Sequence, residues 1–264
     1  NNTMPVTAIT GSASGIGAAT SAMLQAAGHR VIGIDLRGAR VCADLSTPEG
    51  RAHAVQAVLD ESGGVLDSLV LCAGLGSDFT PAAKVVSVNY FGAVELLDGL
   101  LPALRSASGT PCNAAAVVVS SVASTQLSWE QNPLARALAA SDEQAVAAVL
   151  DSFGERAGHV AYAGSKNALT VAVRQRVAAW AHAGVRINAV APGAVMTPLL
   201  QRGLDDPRIG PLIRDFVAPI ARRAEPAEIA SLIGYLLSEQ AAYIHGAQIV
   251  IDGGIDAMAR PTAF

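Results

Sequence analysis

The chain has 264 residues, 51% hydrophobic and 15% charged, which is ample for a large core and argues against disorder. Its net charge is −4 and its 18 Lys and Arg are scattered, against a nucleic-acid groove or a basic membrane-binding face. No uninterrupted apolar run nears the ~18 residues of a bilayer span. The first residues carry no basic and apolar leader, and Cys42, Cys72 and Cys112 lack the spacing of a zinc site or disulfide framework. A cytoplasmic protein without metal is expected, its thiols reduced and two of them small core residues.

Val6 to Thr10 is a short apolar run that stops at Gly11 and reads as a buried parallel strand. Thr10-Gly11-Ser12-Ala13-Ser14-Gly15-Ile16-Gly17 follows, then a helix to about Ala27, with Ile16, Ala19, Thr20, Met23 and Leu24 at helical spacing. Val31 to Asp35 is the next strand. In such a β-turn-α-β unit Gly11 lets the chain leave the strand, Gly15 lets the backbone approach a pyrophosphate, and Gly17 allows helix and strand to pack closely. The helix N-terminus offers free N–H groups and positive dipole to the phosphates. Asp35 stands where a carboxylate accepts from both ribose hydroxyls. It would repel a 2′-phosphate, and the next residue, Leu36, is not basic, so NAD is expected over NADP; Arg37 is the nearest cation that could pair one.

Arg40 to Leu45 reads as a short strand, and Thr47-Pro48 as the cap and first position of a helix to about Asp60. Leu69 to Cys72 is a strand ending in Ala73-Gly74. Lys84 to Arg105 is a long helix containing Asn89 and Pro102, and Ala115 to Val119 is a strand ending in Ser120-Ser121. Segment 126–159 breaks the rhythm. Leu134, Leu138, Val146, Val149, Leu150 and Phe153 fall at helical spacing beside five acidic residues, predicting one or two amphipathic helices over the sheet's ligand edge or on a partner subunit. His159 reads as a loop histidine. Ala161 to Ala183 is a helix closed by Gly184. Arg186 to Ala191, Glu225 to Leu237 and Gln248 to Ile251 are a strand, a helix and a last strand. The long segment 195–224 reads as a lid. No repeat or charged linker divides the chain, so one domain over 1–264 is expected.

Tyr162 and Lys166 are four residues apart and share a helix face. An ammonium beside a phenol favours the phenolate, so the Tyr162 pKa is expected to fall toward neutrality and to provide an acid and base at working pH.

These residues together resemble the short-chain dehydrogenase/reductase family. The likeness runs through Thr10 to Gly17, Asp44-Leu45, Asn89, Ser121, Tyr162-x3-Lys166 and Pro192-Gly193-x3-Thr197. It implies a single-domain, Rossmann-type doubly wound α/β fold with a seven-stranded parallel sheet, a nicotinamide cofactor and hydride transfer. It implies that Tyr162 is the general acid and base, that Lys166 lowers its pKa and bonds the ribose, and that Ser121 (with Ser120 as competitor) bonds the substrate oxygen. Asn89 is to hold a water in a proton relay. For the cofactor it implies the turn residues Gly11, Ser12, Ser14, Gly15, Ile16 and Gly17, then Asp35 and Leu36, Asp44 and Leu45, Ala73 and Gly74, and Val195 and Thr197, with Tyr162 and Lys166.

Leu71 to Gly76, Arg222 to Pro226 and His245 to Ala257 are similar to the branch of that family containing bacterial hydroxysteroid dehydrogenases and carbonyl reductases. That branch implies NAD, interconversion of a 3-hydroxyl and a 3-ketone on steroids, and reduction of other ketones and aldehydes. The alternatives are another carbonyl substrate, such as an acyl thioester or sugar, and a non-catalytic NAD(H)-sensing protein. Two features depart from the family pattern. Leu71-Cys72 replaces two asparagines that help hold the central strand. The segment before Tyr162 is long, which disfavours packing of the Tyr162 helix on its copy, so a homodimer is expected over the family's tetramer.

Overall fold

The computed structural model describes residues 4–107 and 114–263; Cys112 lies outside them. In chain order come β1 (Val6–Thr10), α1 (Gly15–Ala26), β2 (Arg30–Asp35), β3 (Val41–Cys42), α2 (Pro48–Ser62) and β4 (Ser68–Leu71). Next are α3 (Ala82–Val86), a π-helical turn over Ser87–Phe91, α4 (Gly92–Ala107) and β5 (Ala114–Val119). Two short helices, α5 (Ala135–Ala139) and α6 (Glu143–Asp151), precede the long α7 (Ala157–His182) and β6 (Val185–Pro192). Then follow α8 (Pro198–Asp205), α9 (Gly210–Asp215), α10 (Pro226–Leu237), β7 (Gln248–Ile251) and α11 (Ile255–Ala259).

The strands form one seven-stranded sheet in the order β3-β2-β1-β4-β5-β6-β7, with parallel pairing throughout. This is the expected doubly wound fold. Central strands carry apolar side chains on both faces because helices cover both. Along β5, Ala114, Ala116 and Val118 join the core under α2, α4 and α7. The alternate residues Ala115, Val117 and Val119 join the core under α1 and α10. A fully buried Leu or Ile here contributes about 1.5–3 kcal/mol.

The third strand is shorter than the sequence suggests. Asp44 Oδ1 accepts from the Ser46 backbone N–H at 2.9 Å and the Ser46 hydroxyl at 2.6 Å, so the chain turns immediately after Val41–Cys42. Thr47 then caps α2 by accepting from Gly50 N–H. Cys42, on this edge strand, is exposed and is not a core residue; Cys72 packs against the core under α1 and α10, as expected.

The long helix expected from Lys84 is broken by the π-helical turn. Taken together Ala82–Leu104 is long and apolar enough to cross a bilayer, but 67% of its apolar window is buried within the fold. The segment 126–159 packs within the chain, beside the cleft-lining Leu75, Phe79 and Tyr162. Leu134, Leu138, Val146 and Leu150 form a third core with Val85, Val86, Phe91, Ala161 and Ala168. That places α5 and α6 against α3, the π-helical turn and α7. α7 begins at Ala157, earlier than expected, so His159 lies exposed on its first turn.

Candidate active site

The sheet's topology reverses between β1, which runs on to β2, and β4, which runs on to β5. Strand ends diverge at such a point and leave a crevice. Here it is a cleft of about 530 Å³, lined by the glycine turn, the ends of β2, β4, β5 and β6, and side chains of α7 and α8.

The turn after β1 is packed too tightly for side chains at two positions. A Cβ on Gly17 would lie 2.0 Å from the Gly11 carbonyl oxygen, and one on Gly11 would lie 2.8 Å from Ala73 N. Gly11 also has φ 67°, a region glycine enters readily. The Ser14 side chain makes no capping bond to α1, which leaves the first N–H groups of the helix open to an anion. Gly11, Ser14, Gly15, Ile16 and Gly17 all line the cleft. The Ser12 hydroxyl donates to the Ile34 carbonyl at 3.4 Å, and it stands 2.5 Å from where a Cβ on Gly33 would be. Gly33 makes room for it, so Ser12 ties the turn to β2.

Thr10 pairs with Ile34 in the sheet register, so Asp35 projects one residue beyond that pair. Its carboxylate accepts from Ala13 N–H at 3.0 Å and Leu36 N–H at 2.7 Å. Asp35, Leu36, Arg37, Asp44 and Leu45 line this end of the cleft. Hydrogen bonds from Ser46 hold the Asp44 carboxyl below its usual value. Ala73, Gly74, Val195 and Thr197 also line the cleft. Thr197 caps α8 by accepting from Leu200 N–H, and its methyl group faces Gly15. The replaced asparagines are compensated by backbone: Cys72 N–H donates to the Thr10 carbonyl at 3.2 Å, and Ala73 N–H to the Thr10 hydroxyl at 3.1 Å.

Ser121, Tyr162 and Lys166 meet at the inner end. Ser121 and Tyr162 line the same part of the cleft, with the Ser121 hydroxyl near enough to act on the Tyr162 phenol. Lys166 is buried, and its Nζ donates to the Val119 carbonyl at 2.8 Å. The two adjacent serines have different tasks. Ser120 donates to the Lys166 carbonyl at 3.0 Å and pairs with the Thr170 hydroxyl, fastening α7 to the sheet. Ser121 is the one at Tyr162.

The Tyr162 pKa is raised rather than lowered. Burial raises it, and the nearby Ser121 hydroxyl opposes that only in part. Burial likewise pushes Lys166 down to about 8. The lysine head is engaged with Val119, and desolvation is the largest influence on both groups.

Asn89 differs too. Its Oδ1 accepts from Leu75 N–H at 2.8 Å and its Nδ2 donates to the Leu75 carbonyl at 3.0 Å. The side chain therefore holds the chain just after Gly74. A π-turn in a helix often marks a functional position, and this one presents Asn89.

Several lining residues were not singled out from sequence. Phe79 and Arg202 line the cleft, with the Arg202 guanidinium 5.6 Å from the Phe79 ring centre and 3.3 Å from the Asp78 carboxylate. They bridge the loop after β4 to α8. Nothing in their sequence context separates them from surface residues. Leu199 and Leu200, in the 195–224 segment, also face the cleft.

An open helix N-terminus, a glycine cradle and a ribose-facing carboxylate fit NAD, and beside them stand a hydroxyl pair and a buried lysine. Such a fold and site define a nicotinamide-dependent oxidoreductase. The chain belongs to the short-chain dehydrogenase/reductase family: residues 5–135 match the short chain dehydrogenase family, and 145–256 match a family described as enoyl-(acyl carrier protein) reductase. It is 58% identical over 261 residues to the 3-alpha-hydroxysteroid dehydrogenase/carbonyl reductase of Comamonas testosteroni, covering 99% of this chain and 100% of that protein. The crystal structure of the 3-alpha-hydroxysteroid dehydrogenase from Pseudomonas sp. B-0831 complexed with NADH superposes with a TM-score of 0.93 at 51% identity, covering 98% of this chain and 100% of that one. Galactitol 2-dehydrogenase of Cereibacter sphaeroides is 31% identical, covering 94% of this chain and 93% of that protein.

Proposed function

We propose that the chain is an NAD-dependent oxidoreductase that interconverts the 3-hydroxyl and 3-ketone of steroids and reduces other ketones and aldehydes. The carrying observation is the Ser121–Tyr162 hydroxyl pair beside buried Lys166 in the switch-point cleft. The full-length likeness to hydroxysteroid dehydrogenases supports the substrate class.

Bound NAD supplies or accepts the hydride. In reduction Tyr162 gives its proton to the carbonyl oxygen; in oxidation it takes the hydroxyl proton. Its raised pKa keeps that proton in place at neutral pH. Ser121 donates to the same oxygen as negative charge develops there. Lys166 provides positive charge close to Tyr162 and, with NAD present, a donor to the ribose. Asp35 accepts from the adenosine ribose hydroxyls, and the open end of α1 receives the phosphates. Asn89 acts by fixing Leu75, and through it the Ala73-Gly74 floor of the cleft.

Residues 195–224 form the substrate lid within a single 1–264 domain. Leu199 and Leu200 turn into the cleft, while Leu212 (70%), Val217 (58%) and Ile220 (60%) stay exposed. That apolar surface suits a rigid hydrophobic ligand. The protein acts as a cytoplasmic homodimer: α5 and α6 cover part of α7, and the apolar side chains left open near the other end of the sheet include Tyr235, Val250 and Met258.

A second reading takes a sugar alcohol as substrate, on the strength of the galactitol 2-dehydrogenase likeness. A panel of 3-hydroxysteroids, ketones and sugar alcohols with NAD or NADH decides between them. Steroid turnover well above sugar-alcohol turnover is expected, and the reverse order would replace the first reading with the second.

A further inference from the structure

The helical segment before Tyr162 reaches into the catalytic centre through two buried amides. Asn132 lies in that segment, 4% exposed; Asn167 follows Lys166 on α7, 6% exposed. Asn167 Nδ2 donates to the Ser124 carbonyl at 3.2 Å and the Leu127 carbonyl at 2.9 Å. Asn132 Nδ2 donates to the Gly164 carbonyl at 2.9 Å and to Asn167 Oδ1 at 3.1 Å. Asn132 Oδ1 accepts from Leu134 N–H at 3.0 Å. Each amide donates both hydrogens and accepts at its oxygen. A buried network satisfied in this way rigidifies what it joins.

What it joins is specific. Ser124 lies within the turn of 3₁₀ helix over Val122–Thr125 that Ser121 caps through Ala123 N–H. Gly164 sits between Tyr162 and Lys166, and a Cβ there would lie 3.0 Å from Asn132 Oδ1. The amides thus tie the strand-end segment carrying Ser121 to the stretch of helix carrying Tyr162 and Lys166. The Ser121–Tyr162 contact depends on the spacing of those two elements.

We propose that Asn132 and Asn167 are positioning residues that hold Ser121 in register with Tyr162, so that the inserted segment is a working part of the active site. The inference rests on the function proposed above and adds a role for side chains that touch neither substrate nor cofactor. An error of about 1 Å in such a register costs on the order of 100-fold in rate.

The test compares wild type with Asn167→Asp, which keeps size and acceptor but loses both donors, and with Asn167→Ala and Asn132→Ala. Expected for Asn167→Asp are NADH binding by fluorescence titration within about twofold of wild type and a kcat about 10- to 100-fold lower at unchanged cofactor KM. The pH limb for alcohol oxidation should move upward, because the Ser121 hydroxyl that lowers the Tyr162 pKa moves away. Crystals of the variant should show the two hydroxyls farther apart than in wild-type crystals. A lower melting temperature with unchanged kcat, pH limb and Ser121–Tyr162 contact would overturn the inference. If both Asn167 variants fail to fold, Asn132→Ala, which leaves the Ser124 and Leu127 bonds in place, carries the same comparisons with a smaller loss. Wild-type protein inactive on every steroid would sink the functional reading alone, since the hydroxyl contact in variant crystals decides the inference without turnover.

Discussion

The Lys166 ammonium donates to the carbonyl of Val119 at 2.8 Å, one residue before the serine that fastens α7 to the sheet. Burial there brings Lys166 to about 8, against ~10.4 in an unfolded chain. Between those values the unfolded chain holds a proton that the folded chain has released, so stability rises with pH. Cys72 acts in the opposite sense. Burial pushes its thiol up to about 12, so above its unfolded value stability falls with pH. In Cys72→Ala the ligand-free protein should therefore gain urea resistance from pH 8 to pH 10. Cys72→Ala/Lys166→Met should not, and an equal gain in both would show that Lys166 is not the group responsible.

Asp35 is held by two backbone N–H groups at the end of β2, so its carboxylate faces the cleft in a fixed position. Asp35→Ala should lower the ratio of kcat/KM for NAD over NADP by about tenfold or more, the range of one charged hydrogen bond. Steady-state kinetics with both cofactors measures it. A wild type that already prefers NADP would refute the cofactor argument.

Arg51 is 1% exposed and pairs with Glu143 of α6 and, at 2.9 Å, with Glu95 of α4, its guanidinium 5.7 Å from the Phe91 ring centre. The second Glu143 oxygen accepts from the Ser87 hydroxyl at 2.9 Å. Glu143→Ala strands part of a buried cation and should destabilise the fold by about 1–3 kcal/mol in denaturant titrations. Arg208→Ala, which removes an exposed pair with Asp206, should leave the midpoint unchanged. Equal effects would mean that the clamp does not anchor the inserted segment.

The doubly wound sheet was legible because each strand is a short apolar run ending at small or polar residues, and the periodic segments between them are helical. Asp35 and the Tyr162–Lys166 pair were legible because their spacing follows directly from strand and helix geometry. Other features depend on contacts between residues distant in sequence. Asn132 and Asn167 are 35 positions apart, and a polar residue inside an amphipathic segment looks like part of a solvated face. The direction of the Ser12 hydroxyl depends on the missing side chain of Gly33, which belongs to another strand. The Tyr162 pKa was misjudged because spacing reveals the nearby charge but not the burial that outweighs it.

The account depends most on Tyr162 as the proton donor and acceptor in a steroid-oxidising site, and NADH formation from NAD and a 3-hydroxysteroid tests it most directly. Wild type should oxidise the steroid, faster as pH rises toward the raised Tyr162 pKa. Tyr162→Phe should bind NADH normally and lose about two or more orders of magnitude in kcat. Near-normal turnover by Tyr162→Phe would contradict the account.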